Sequence, residues 1–149
     1  MKKVVAISSI GGHWIQLLRL KPVFEDVQMV FITTKASFKS MVSESDTFYV
    51  IPDGNRTDKI GLLKAIKTLF VIYRKEKPDV IITTGAAPGL MGICVGKLLG
   101  IHTIWLDSIA NCEELSMSGR IAKKIANTVY TQWEHLATNN VKYKGNVLK

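Results

Sequence analysis

The chain reads as an α/β protein, a Rossmann-like doubly wound parallel sheet. Three observations predict it. Short apolar runs alternate with amphipathic helical stretches along the chain, which is the pattern of repeated βαβ units. The run at 79–84 has the apolar character of a strand covered on both faces. Two of the runs end in glycine-rich turns, Gly11-Gly12 and Gly85-Ala86-Ala87-Pro88-Gly89, and each turn leads into a helix.

The elements follow in order. Residues 4–8 form the first strand and 14–20 the first helix, which Pro22 limits because proline disfavours helical backbone in the residue before it. Residues 27–33 form the second strand, with a short helix near 37–42. Residues 47–51 form the third, closed by the turn cluster Pro52-Asp53-Gly54-Asn55. The longest helix runs over 60–77, capped by Thr57 or Asp58. After the strand at 79–84, Pro88 suits the first position of a helix reaching Leu99. A strand at 102–106, a helix at 121–126, a strand at 128–131 and a short helix at 133–137 complete the chain. The reading is one domain over 1–149, without repeat or linker.

Composition bounds the function. At 149 residues with 47% hydrophobic and 21% charged content, the chain is globular. Its two cysteines form no disulfide framework; Cys94 reads as a buried small hydrophobe, and a reduced cytosolic setting is the simplest. Met1-Lys2-Lys3 runs directly into a strand with no secretory leader ahead of it. No segment reaches the roughly 18 consecutive apolar residues that span a bilayer; the nearest candidate, 86–101, is interrupted by Lys97 and dense in glycine. The net charge of +8 is uneven: +1 over 1–55, +5 over 56–77, −3 over 78–116 and +5 over 117–149. Two basic segments imply an anionic surface as partner. Nucleic acid is not implied, since no nucleic-acid motif is present.

Three strand ends carry candidate chemistry. At the first, Gly11 and Gly12 let backbone approach an anion that the following helix start favours, and His13 places a titratable group at that turn. This is neither the full G-x-G-x-x-G nor a P-loop, so a plain βα turn with a solvent-facing histidine is the alternative. The second, Thr84-Gly85-Ala86, repeats the logic on the same sheet edge. The third is Asp107-Ser108-Ile109-Ala110-Asn111, where Asp107 is a general base, a hydroxyl-binding carboxylate or a structural cap. Gly85, Gly89, Gly92, Gly96 and Gly100 recur every three or four residues. They make a flat helix face against the sheet or a membrane-type small-residue interface, and Lys97 favours the former. On the long helix Lys64, Lys67, Arg74 and Lys75 cluster on one side and Leu62, Ile66, Leu69 and Tyr73 on another, so the basic side is a solvated face or a dock for anionic lipid, with Phe70 and Val71 contributing if exposed. His13, His102 and His135 are scattered, no nucleophile elbow or metal motif appears, and no metal or cofactor is expected.

Four blocks together resemble a known family. They are Ser9-Ile10-Gly11-Gly12-His13 with Gln16-Leu17-Leu18; Thr84-Gly85-Ala86-Ala87-Pro88-Gly89; Asp107-Ser108-Ile109-Ala110 with Leu115-Ser116-Met117-Ser118-Gly119-Arg120; and Gln132-Trp133-Glu134-His135-Leu136 with Tyr143-Lys144-Gly145. The chain resembles the acceptor-side subunit of two-chain glycosyltransferases. One branch works in bacterial capsular and exopolysaccharide synthesis. The other is the membrane-recruiting subunit that helps add the second N-acetylglucosamine to dolichol diphosphate. Both are similar to the N-terminal half of the enzyme that completes the peptidoglycan lipid precursor.

The resemblance implies the N-terminal half of a GT-B enzyme. It implies an inverting transfer to a lipid-diphosphate-linked sugar, with the nucleotide sugar held by a companion chain. Gly11, Gly12, His13, Gly85, Ala86, Ser108 and Asn111 would bind the acceptor or its phosphates; His13 would be base or phosphate contact, and Asp107 would orient or deprotonate the acceptor hydroxyl. The expected location is cytoplasmic, peripheral on the inner face of the cell membrane. Two departures stand out: the eukaryotic branch has an N-terminal anchor that this sequence lacks, and it has Glu where Asp107 stands and Arg near Asn111. The ending at Tyr143-Lys144-Gly145-Asn146 fits a complete half. A non-catalytic membrane-recruiting scaffold and a stand-alone nucleotide binder are the alternatives.

Overall fold

A computed structural model describes residues 1–54 and 57–148. Asn55 of the turn cluster and Arg56, the first residue of the basic segment, lie outside the described residues. Among the described residues seven strands form one sheet: β1 (Lys3–Ile7), β2 (Gln28–Thr33), β3 (Thr47–Val50), β4 (Val80–Thr83), β5 (His102–Leu106), β6 (Thr128–Thr131) and β7 (Lys142–Tyr143). They lie in the order β3-β2-β1-β4-β5-β6-β7, and every pairing is parallel. Ile7 pairs with Ile32 on one side and Thr83 on the other, Thr83 with Trp105, and Leu106 with Tyr130. The carboxyl ends of the strands therefore share one edge. The chain reverses its direction of winding between β1 and β4, the topological switch point at which open α/β sheets bind ligands.

Helices cover both faces, as a doubly wound sheet requires. Along β1, Val4 and Ala6 face α1 (Gly12–Arg19), which packs Trp14 and Leu17 against Phe31 and Ile82. Trp14 meets Phe31, Phe38 and Phe48 edge-on at 5.8–6.2 Å between ring centres, the favoured aromatic geometry. Val5 and Ile7 face the opposite layer of α2 (Lys59–Glu76), α3 (Ala86–Leu98) and α4 (Met117–Ile125), through Leu69, Tyr73, Ile93 and Ala122. Asp58 caps α2, its side chain accepting from the Gly61 amide at 2.8 Å. Ser116 caps α4 by accepting from the Gly119 amide at 2.8 Å.

The glycines of α3 lie flat against the sheet. A Cβ on Gly89 would stand 2.1 Å from Thr83 Oγ1, on Gly92 2.9 Å from Ile7 Cγ2, and on Gly96 2.4 Å from Ile81 Cδ1. That settles the stripe as an internal packing face.

Three expectations are corrected. Cys94 is exposed rather than buried, because the glycine stripe is the side of α3 that faces the sheet and Cys94 lies on the side away from it. Pro88 occupies the third position of α3, since the helix starts at Ala86 on the N-cap Gly85. The two-residue strand β7 was not expected; it is too short for any alternation to mark it. Among the described residues no helix is long and apolar enough to cross a membrane.

Candidate functional site

The turns after β1 and β4 stand side by side at the switch point. Gly11 is the N-cap of α1 with φ at 81°, in the left-handed region that glycine enters without strain. No side chain caps this helix and its first turn holds no acidic residue. Among the described residues the amides of Gly12, His13 and Trp14 have no protein acceptor, while the Ile15 amide closes the first turn on the Gly11 carbonyl at 3.1 Å. A Cβ added to Gly11 or Gly12 would meet nothing within 4 Å. The turn is therefore an open, donor-rich, electropositive helix start, suited to an anion.

His13 is half-buried beside it. Its Nδ1 lies 2.9 Å from the Thr84 carbonyl, and the Thr84 hydroxyl donates to the His13 carbonyl at 2.5 Å. Thr84 itself is fully buried. Gly85 has φ at 125°, and a Cβ there would lie 3.0 Å from His13 Cε1. Its amide donates to Thr83 Oγ1 at 3.1 Å. Ala86 follows with φ at 65°, a left-handed conformation that costs an ordinary residue about 1–2 kcal/mol. Strain of this kind persists where surrounding structure imposes it, and such residues cluster at functional sites.

The third strand end is built differently. Asp107 is only 2% exposed. Its Oδ1 accepts from Trp105 Nε1 at 3.0 Å and from the Ser116 hydroxyl at 2.6 Å, and its Oδ2 from the Ser116 amide at 2.8 Å. Gly119 is small for the same reason: a Cβ there would stand 2.4 Å from Oδ1. Of the three roles weighed for Asp107, these contacts supply a structural one, since they hold Ser116, the residue that caps α4.

Ser108 is buried, accepting from Gln16 Nε2 at 3.1 Å and from the Ala110 amide at 3.2 Å. Asn111 is half-buried in the same loop, its amide donating to the Ser108 carbonyl at 3.0 Å.

Sequence reasoning assigned no role to the side chains that join these turns. Gln16 Oε1 accepts from the Ile109 amide at 3.0 Å and from Gln132 Nε2 at 2.7 Å. Gln132 also donates to the Asp107 carbonyl at 3.0 Å and accepts from the Val147 amide at 3.0 Å. Trp133 Nε1 donates to the Ile109 carbonyl at 2.8 Å. The available signal was Gln16 itself, a polar residue on the buried face of α1 between Trp14 and Leu17. Beside α1 the same sheet face carries an open pocket of about 470 Å³, with Phe24, Ile82, Ile104 and Leu106 as apolar lining and Arg19 and Lys144 as cations.

Lys64, Lys67, Arg74 and Lys75 are all exposed, on the helix layer of the other face. Ile60, Leu63, Phe70 and Val71 are exposed beside them, with relative accessibilities of 69%, 66%, 39% and 58%. Arg74 lies over the Phe70 ring at 5.8 Å, and Lys75 over Tyr49 at 5.7 Å. The structure thus brings His13, Gly11, Gly12, Gly85 and Ala86 together, sets Asp107, Ser108 and Asn111 on the adjoining loop, and keeps the basic group apart.

A family model described as oligosaccharide biosynthesis protein Alg14 like matches residues 57–147. The UDP-N-acetylglucosamine transferase subunit ALG14 of Yarrowia lipolytica is 26% identical over 91% of this chain and 75% of its own length. Among solved structures, MurG of Acinetobacter baumannii superposes with a TM-score of 0.80 at 16% identity, over 98% of this chain and 46% of that protein. S. aureus MnaA, in a structure with UDP, gives 0.72 at 15% identity over 99% and 44%. The chain spans less than half the length of these two structures, and at such identities the likeness is one of fold: the expected Rossmann-like half of a GT-B architecture.

Proposed function

Because this chain belongs to the Alg14-like family of oligosaccharide biosynthesis proteins, we propose that it is the acceptor-side subunit of an inverting glycosyltransferase, acting on a lipid-diphosphate-linked saccharide in polysaccharide biosynthesis. A companion chain supplies the nucleotide sugar. The observation that carries this reading is the open turn at Gly11 and Gly12. Its unpartnered amides face the switch-point crevice next to His13. Such donors suit the acceptor diphosphate, with Gly85 and Ala86 on the neighbouring turn and Ser108 and Asn111 on the adjoining loop completing that wall.

In the transfer, the acceptor hydroxyl oxygen bonds to the sugar's anomeric carbon as the bond to the nucleotide diphosphate breaks. His13 takes the hydroxyl proton, and the leaving diphosphate departs with the companion chain. Asp107 acts through Ser116, holding the loop that borders the acceptor. The exposed basic and apolar residues of α2, including Lys64, Lys67, Arg74 and Lys75, favour docking on an anionic membrane surface at the cytoplasmic inner face of the cell membrane.

The test is sugar transfer to a lipid-diphosphate acceptor by the chain alone, by its companion alone and by the two together. Activity is expected only in the mixture. Substituting His13→Ala in the complex should lower kcat by about 10²–10⁴-fold, the usual yield of a general base. Full turnover by the chain alone overturns the two-chain reading. The α2 surface also favours a second reading, a recruiting scaffold without catalytic residues, which predicts unchanged kcat for His13→Ala.

A further inference from the structure

We propose that Thr84 is the positioning residue for His13, fixing its imidazole as the Nδ1–H tautomer so that Nε2 is the nitrogen with a free lone pair. The inference rests on the reading of His13 as proton acceptor and names the group that prepares it. A carbonyl oxygen only accepts hydrogen bonds. The 2.9 Å contact between His13 Nδ1 and the Thr84 carbonyl therefore places the proton on Nδ1. In neutral imidazole the other nitrogen then carries the lone pair. Among the described residues Nε2 of His13 has no protein partner, so it stays available to a ligand.

The carbonyl alone would leave the ring free to shift with its loop. The Thr84 hydroxyl prevents this by donating to the His13 carbonyl at 2.5 Å. The two residues thus bond reciprocally across the switch point between β1 and β4 and lock the two turns at one spacing. Thr84 has no exposed surface, so its side of the pair is shielded from competing water while the half-buried His13 ring keeps access to the crevice. Gly85 completes the slot. Its missing Cβ leaves room for the ring, with Cε1 and Nδ1 at 3.0 and 3.1 Å from where that atom would stand, and Trp105 closes the far side at 3.7 Å. A base held this way needs no reorientation when substrate arrives. The arrangement follows the rule that the partner of one ring nitrogen sets the chemistry of the other.

The experiment records a long-range proton–nitrogen correlation spectrum of the full chain labelled on histidine nitrogen, above the histidine titration. The expected result is a protonated Nδ1 and an unprotonated Nε2 for His13, assigned by its loss in His13→Ala. A protonated Nε2 overturns the proposal whatever the activity. In the two-chain complex, Thr84→Val removes the hydroxyl at nearly constant volume. It should lower kcat about tenfold with KM nearly unchanged and introduce the second tautomer, while Thr84→Ser restores both. A Thr84→Val complex with wild-type kcat and a single Nδ1–H tautomer removes Thr84 from the role. Should His13→Ala retain full activity, the catalytic reading falls, and the spectrum still decides whether the clamp exists.

Discussion

A carboxylate at a strand end serves proton transfer only if a lone pair faces the cleft. The oxygens of Asp107 are engaged by Trp105 Nε1, the Ser116 amide and the Ser116 hydroxyl. From the sequence, Asp107 stands at the right place for chemistry. The two partners nine residues on and two residues back are set by the fold of the loop, which no local pattern encodes. Asp107→Ala should therefore act first on stability. It strips hydrogen bonds from the buried Trp105 indole and the half-buried Ser116 amide and hydroxyl, at a cost of about 3 kcal/mol, read as a lower denaturant midpoint of the isolated chain. Wild-type stability combined with lost transfer in the complex would return Asp107 to direct chemistry. His13 was legible in the opposite sense: glycines before a helix already implied open amides, and the fold added the partner that orients the ring.

At the scale of elements, strands were the most legible features. The runs at 102–106 and 128–131 coincide with β5 and β6, because apolar residues between turn signals leave little latitude. Helix starts were less so. Ala86 and Met117 begin α3 and α4 earlier than expected, since a left-handed Ala86 and a serine cap nine residues past Asp107 are tertiary features. The exposure of Cys94 was within reach, as it lies off the glycine stripe.

The outer side of α2 was read correctly as basic, and its apolar component emerges with the structure. Ile60, Leu63, Lys64, Lys67, Phe70, Val71 and Arg74 recur at the three- and four-residue steps of one helix face. Exposed apolar side chains beside cations gain from insertion at the headgroup level, and each cation adds about 1 kcal/mol on an anionic surface. Lys64→Glu with Lys67→Glu reverses two of those charges. Cosedimentation with anionic vesicles should fall at least tenfold, and binding of the native chain should weaken with salt. Binding unaffected by the double substitution, or by salt, removes α2 as the contact.

At the scale of the molecule, alternation of strands and helices made the parallel sheet legible but left the strand order open. The order matters because it brings residue 13 beside residue 84 and residue 16 beside residues 108 and 132. The last of these contacts tie the fold together. Gln16 and Gln132 join α1, the loop after β5, the end of β6 and the segment at Val147 through bonds of 2.7–3.1 Å. Both side chains are buried, with accessibilities of 9% and 2%. Replacing either alone takes a hydrogen bond from the other buried glutamine and from half-buried amides at Ile109 or Val147, which costs part of the desolvation of those groups rather than only the modest net value of the bonds. Gln16→Leu and Gln132→Leu should each lower the unfolding free energy by about 2 kcal/mol. Once one is gone, the other has already lost its shared partner, so the second substitution removes less. The double variant should then be more stable than the sum predicts by about 0.5–3 kcal/mol, the range for residues in one network. Denaturant unfolding of the four proteins of this cycle gives that value directly. Simple additivity would mean that the two glutamines stabilise their segments independently, and that the Gln16–Gln132 bond adds no coupling between the wall bearing His13 and the segment at Val147.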